Sequence, residues 1–126
     1  MSPARPPVTR PIDSWEKAAA FTLSLPDTIL STSYGKPAVK VASNGRAFLY
    51  PGREPDTSFA VAIDLDSIEI LKETDPGSFW QTPHYEGWPA VLVRFDSRDP
   101  ERVRALIERS RDRTAAMKPP RSRKKA

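Results

Sequence analysis

The segment TPHYEGWPAVLVRF, from Thr82 to Phe95, holds the chain's one histidine, His84, together with Tyr85, Glu86 and Trp88. These residue types can move protons. A working histidine needs a nucleophile to activate and usually a carboxylate to orient its second nitrogen. Neighbours on an extended chain point to opposite faces, so His84 and Tyr85 do not form a pair, whereas His84 and Glu86 can share a side. No nucleophile completes the set. The chain has no cysteine, which excludes thiolate nucleophiles, thiolate metal sites and disulfides. One histidine with scattered carboxylates does not make a zinc centre. The glycines are dispersed and form neither nucleotide-binding fingerprint, so neither a metal nor a cofactor is expected. The segment reads as a structured, non-catalytic turn. Pro83 and Pro89 restrict its backbone, and the rings of Tyr85 and Trp88 pack or meet a ligand.

The basic residues offer a second chemistry, contact with phosphate. The formal charge is +4, but Arg5 and Arg10 lie near the start, and Lys118, Arg121, Arg123, Lys124 and Lys125 crowd the end. The stretch from Asp13 to Ala116 therefore keeps 13 of the 20 basic residues against all 16 acidic ones, a net of −3. A mildly acidic body does not draw in nucleic acid by net charge, so any attraction must be local. Lys36, Lys40, Arg46, Arg53 and Arg94 are the candidates within the body, and the basic tail is the candidate outside it. Arg102, Arg104, Arg109, Arg111 and Arg113 share the last helix with Glu101, Glu108 and Asp112. That mixture reads as a solvated, salt-bridged helix, with Arg104–Glu108 as an i,i+4 pair, and not as a phosphate reader.

The elements that carry these residues follow from punctuation and periodicity. Residues 1–12 are proline-rich and aperiodic and read as a disordered arm; residues 118–126 read as a disordered basic tail. Between them, residues 13–117 form one domain. Asp13 with Glu16 suggests a capping box opening a helix that Pro26 ends. ILSTSYGKP reads as an irregular extended entry. AVKVASNGRAFLY reads as a hairpin about Asn44-Gly45, pairing Val41 with Phe48 and Val39 with Tyr50. SFAVAID is a strand, Asp66 with Glu69 opens a short helix to about Thr74, and SFWQT is a brief strand. AVLVRF is the last strand. Asp99 then caps a final helix, with Pro100 at its first position and Val103, Leu106, Ile107 and Ser110 as its buried stripe. The order α-β-β-β-α-β-β-α predicts an α+β fold of two layers, helices on one antiparallel sheet.

Strand parity sorts the sheet into two faces. Val39, Val41, Phe48, Tyr50, Phe59, Val61, Ile63, Val91, Val93 and Phe95 make a core. The other face collects Ala38, Ala42, Ala47, Leu49, Ala60, Ala62, Ala90 and Leu92, with Lys40 and Arg94 its charged members. Such a shallow apolar face is expected to be covered, by a close-packed helix first, otherwise by a second subunit or a ligand.

Two segments, TSYGKPAVKV (Thr32 to Val41) and DPGSFWQTPHYEGWPAVLVRF (Asp75 to Phe95), resemble the signature segments of the MmcQ/YjbR family (DUF419). The proline-ended first helix and AIDLD, from Ala62 to Asp66, also fit, and the resemblance covers about Asp13 to Met117. It implies a secretion-chaperone-like fold and carries the family's usual DNA-binding label, which rests on likeness to a double-wing fold. Family motif positions fall on Ser33, Tyr34, Gly35, Pro37, Lys40, Pro83, His84, Tyr85 and Trp88, and no catalytic assignment comes with them. The expectation is a small, non-enzymatic, cytoplasmic DNA-binding domain without a membrane segment, with a homodimer as a further possibility. The rival is a protein-interaction or small-ligand module that uses the alanine-rich face and the His84 loop.

Overall fold

The computed structural model describes residues 12–33, 35–52, 57–83, 85–95, 97 and 99–119. Helix α1 (Trp15–Leu23) is followed by β1 (Thr28–Ser33), β2 (Lys36–Val41), β3 (Ala47–Pro51) and β4 (Ser58–Ala62). Then come α2 (Leu65–Thr74), β5 (Phe79–Trp80), β6 (Ala90–Arg94) and α3 (Pro100–Ala115). The strands form one sheet in the order β1-β2-β3-β4-β6-β5, and every neighbouring pair is antiparallel. The expected two-layer α+β fold is the one observed. It has one more strand than the sequence suggested, because the segment taken as an irregular entry is β1, paired along its whole length with β2.

Each helix starts on a side-chain cap, though two caps differ from those expected. Ser14, not Asp13, caps α1 by accepting from the Lys17 amide at 3.1 Å, while Asp13 forms an ion pair with Lys17 at 2.9 Å. Asp64, not Asp66, caps α2. Asp99 caps α3 with Pro100 behind it, as expected. At α2 the Ser67 amide and hydroxyl donate to Asp64 at 2.9 and 2.8 Å, and these bonds hold its carboxyl below the ordinary value of 3.8. A depressed folded-state pKa stabilises the fold above the unfolded value, and that contribution is lost as pH falls through the folded one. Asp64→Ala is expected to cost about 1 kcal/mol at neutral pH. Asp64→Asn should keep most of the cap yet flatten this part of the acid dependence. Urea unfolding near neutrality and near about pH 3 reads both effects.

The core lies between the helices and one sheet face. Val39, Leu49, Val61 and Val91 stand opposite one another across four strands, as do Phe59, Val93 and Phe79 across three. All are fully buried, in one cluster with Ala18 and Ala19 of α1, Ile68 and Leu71 of α2, and Val103, Leu106 and Ile107 of α3. Phe59 stacks on Phe95 with centroids 5.5 Å apart, and burying each such ring contributes roughly 1.5–3 kcal/mol. Ile12, assigned to the arm by composition, is 6% exposed and belongs to this core.

The hairpin register differs from expectation by one residue. A tight Asn-Gly turn needs positive φ at both central residues, but of the two only Gly45 has it, at 74°. Val41 instead bonds Arg46 and Gly45 at 2.9 and 2.8 Å, which leaves a four-residue loop, and the ladder shifts between Val39 and Lys40. Tertiary bonds hold this loop open. Ser43 donates to Asp27 from its amide and hydroxyl at 3.0 and 2.5 Å, and Asn44 donates to the carbonyls of Thr114 and Met117 at 2.8 and 3.0 Å. The shift sends Leu49 into the core and turns Tyr50 to the opposite face.

Candidate functional site

All three helices contribute to the single core cluster, so the second face of the sheet carries no helix. The covering helix expected there is absent among the described residues. Lys36, Ala38 and Lys40 of β2, Tyr50 of β3, Ser58 and Ala60 of β4, Leu92 and Arg94 of β6, and Trp80 of β5 alternate with the core residues and therefore share this face. Its central row runs Tyr50, Ala60, Leu92, Trp80, each opposite the next. Ala60 and Leu92 are 0% and 1% exposed, so neighbouring side chains cover this row although no helix lies on it. The Tyr50 hydroxyl donates to the Ala47 carbonyl at 3.0 Å, and the Arg94 guanidinium lies 5.3 Å from the centroid of the Trp80 ring.

The charge on this face is one-sided. Among the described residues no acidic side chain falls within a strand, whereas Lys36, Lys40 and Arg94 do. The charged side chains that the strands themselves place on this face are therefore all cationic, while Asp13 and Glu16 line a pocket with Lys36 at its edge.

Other candidates fall elsewhere. Arg46 sits in the hairpin loop, where its Nε donates to the Lys118 carbonyl and ties down the chain after α3. It is a fastening for that chain segment. Arg53, Arg121, Arg123, Lys124 and Lys125, with Tyr34 and His84, lie outside the described residues. The α3 arginines grip neighbouring helices, which agrees with the structural reading of that helix. Arg102 donates to Thr74 at 2.7 Å and Arg109 to Ser67 at 2.9 Å, both on α2. Arg111 donates to the Pro26 carbonyl at 3.0 Å, and Arg104 lies 5.7 Å from the Phe21 ring of α1. The ion pair of Arg104 is with Glu101 at 3.9 Å instead of the expected Glu108.

The two family-motif segments stand at opposite ends of the sheet. Ser33, Gly35 and Pro37 belong to the β1–β2 connection and the start of β2, and Gly35 has the positive φ, 80°, that such a turn favours. Pro83, Tyr85 and Trp88 precede the other end of the sheet, where Ala90 pairs with Ala62. These residues do not make one joint site. The loop is organised by Gln81, a residue that sequence reasoning passed over. Its Nε2 donates to the carbonyls of Tyr85, Trp88 and Ala90 at 3.1, 3.1 and 2.9 Å, while Lys72 donates to its Oε1 at 3.1 Å. Trp88 is 64% exposed. A polar residue just after a short strand was the one available signal, and it does not reveal partners up to nine positions away. Among the described residues no group of three or more His, Asp or Glu side chains could hold a metal ion, and no helix is long and apolar enough to cross a membrane.

The architecture defines a class: an α+β domain in which helices back one face of an antiparallel sheet. That class is shared with the crystal structure of the Deinococcus radiodurans protein DR2400, a DUF419 domain, at a TM-score of 0.67 over 82% of this chain and 79% of that one. DUF419 is the YjbR-like family. At 17% identity the likeness establishes the fold alone. No family model matches the sequence. In sequence the chain is 34% identical over 56 residues to Rv2570 of Mycobacterium tuberculosis and Mb2600 of Mycobacterium bovis, both described as uncharacterized proteins. The match covers 42% of this chain and 43% of each of those proteins, so it spans under half the length of these curated relatives.

Proposed function

We propose that this is a small, non-enzymatic DNA-binding domain that uses the helix-free face of its sheet. One observation carries the reading: among the described residues the strands hold Lys36, Lys40 and Arg94 on that face and no carboxylate. Each cation that neutralises a phosphate releases condensed counterions, so affinity should fall linearly with salt on logarithmic axes. The basic tail adds attraction that is not specific for sequence. Fluorescence anisotropy with a labelled oligonucleotide, at several salt concentrations, tests the reading for the full chain and for a form ending at Pro119. That form retains the Lys118 carbonyl on which Arg46 rests. Shortening should lower the slope while leaving measurable binding. Binding lost altogether on shortening would assign DNA contact to the tail and leave the sheet without this role.

A second reading has its own observation. Strand β1 is an edge of the sheet, six residues long without charge or proline, and its Ile29 and Leu30 are 45% and 57% exposed. The other edge, β5, is blunted by having two residues. An unguarded edge of this kind is a template for strand pairing. Antiparallel pairing of β1 with β1 of a second copy would extend the sheet about a two-fold axis and leave the cationic faces of both copies on one side. Light scattering after size exclusion should then give twice the 14.1 kDa chain mass, and Leu30→Lys should halve it. A wild-type monomer at every concentration removes this reading.

A further inference from the structure

We infer that the cavity beside the start of α1 binds a free α-amino acid with a large apolar side chain. The cavity has a volume of about 410 Å³ and lies where α1 begins, β2 begins and β3 ends. Small-molecule sites span about 300–1,000 Å³, so the occupant of this one is small. The inference stands apart from the DNA-binding reading, although Lys36 belongs to both.

The walls supply the first ground. Trp15 of α1 packs against the core cluster, and Phe95, just after β6, is 7% exposed. Both line the cavity, together with Pro37 of β2 and Pro51 of β3. Two aromatic and two proline rings make an apolar lining. Such a lining takes a hydrocarbon or aromatic side chain in preference to a sugar or a phosphate.

The charges supply the second. Glu16 and Lys36 also line the cavity, yet neither forms an ion pair with the other or with any other described residue. Asp13 differs, because Lys17 holds it at 2.9 Å. One apolar cavity is thus lined by a carboxylate and an ammonium that do not satisfy each other. A simple anion would pair with Lys36 but be repelled by Glu16 and Asp13, and a simple cation would leave Lys36 without a partner. A ligand that carries both signs answers both groups. In an α-amino acid the ammonium and the carboxylate flank a single carbon, which also bears the side chain. The ammonium donates to Glu16, the carboxylate accepts from Lys36, and the side chain packs against the rings.

The test is an amide NMR titration of the full chain with L-phenylalanine and three relatives of it. Phenethylamine lacks the carboxylate, hydrocinnamate lacks the ammonium, and glycine lacks the ring. Phenylalanine should bind with roughly millimolar affinity or better, with the largest shifts at Trp15, Glu16 and Gly52, all of which line the cavity. Each relative should bind roughly fivefold or more weakly. Lys36→Gln should weaken phenylalanine by a similar factor and leave phenethylamine unaffected. Glu16→Gln should weaken phenylalanine and leave hydrocinnamate no weaker. Both side chains are exposed, and the matched relative in each case shows that the cavity itself is intact. The absence of saturable shifts at about 10 mM phenylalanine, shifts confined to other parts of the molecule, or affinity indifferent to both glutamine variants overturns the inference. Each of these results leaves the DNA-binding reading standing, because no nucleic acid enters the titration.

Discussion

Replacing Lys36, Lys40 and Arg94 together by glutamate should lower nucleic-acid affinity on the order of 100-fold or more at low salt. The slope of log affinity against log salt should fall by about 2 to 3, since each phosphate contact contributes roughly 0.7–0.9. The residues sit on a face without helices, none makes an ion pair among those described, and the substitutions leave the core cluster untouched. Circular dichroism and the melting midpoint should therefore stay close to wild type. The matching glutamine variants remove charge without reversing it and should lie between. Anisotropy titrations of the three proteins measure the series. Unchanged binding in the glutamate variant would transfer the contact to the tail or to Arg53.

Gly52→Ala should be the most damaging single methyl in the protein. A Cβ there would lie 2.5 Å from the Ser58 hydroxyl oxygen and 2.9 Å from the Ser58 carbonyl oxygen. The Gly52 amide donates to that carbonyl at 3.2 Å, and Ser58 is 2% exposed, so neither group can simply swing aside. Overpacking of this kind costs about 1–3 kcal/mol, a midpoint fall on the order of 5–10 °C for a domain of this size. Ser58 pairs with Arg94 across β4 and β6, so the displacement should also weaken nucleic-acid binding. The double variant Gly52→Ala/Ser58→Ala removes the hydroxyl but not the carbonyl and should recover part of the loss. Thermal melts of the single and double variants decide it. A melting midpoint unchanged by Gly52→Ala would mean that β3 and β4 do not approach this closely.

The charge pattern shows why counting residues misleads in this chain. Its basic excess lies at the two ends, and its described acids sit in helices, turns and loops. What a ligand would meet on the sheet is neither total. Composition gave a net of −3 for the body, a number that argues against DNA. Once the strands are placed, the described acids are found outside them, and the objection from net charge weakens. This separation was already present in the sequence, because every described carboxylate falls outside the strands. It becomes meaningful only when one face is known to be free of helices.

Other features were legible to different depths. The last helix was read correctly in its cap, its proline and its buried stripe, because all of these depend on residues within one or two turns. The caps of α1 and α2 were misplaced by one and two positions, where several acids or hydroxyls competed and only the local backbone decides. Strand β1 was missed because ILSTS alternates weakly. Its partner β2 and the contact of Asp27 with Ser43 make it a strand. Gln81 could not be found at all, since its significance is three carbonyls that the fold gathers around it.

Local sequence decided the class of the protein: apolar periods of two and of 3.6, capping side chains and proline stops act over a few residues, and they are enough to specify helices backing an antiparallel sheet. Folding alone decided which ring lies on the helix-free face. Bonds from Ser43 to Asp27 and from Asn44 to the end of α3 hold a four-residue hairpin loop, and the bulge between Val39 and Lys40 then leaves Leu49 one residue out of the tight-turn register. Because side chains alternate with a period of two, that single step buries Leu49 and presents Tyr50 beside Ala60, Leu92 and Trp80. The partners that force the step lie 16 to 73 residues away, beyond the reach of any local pattern.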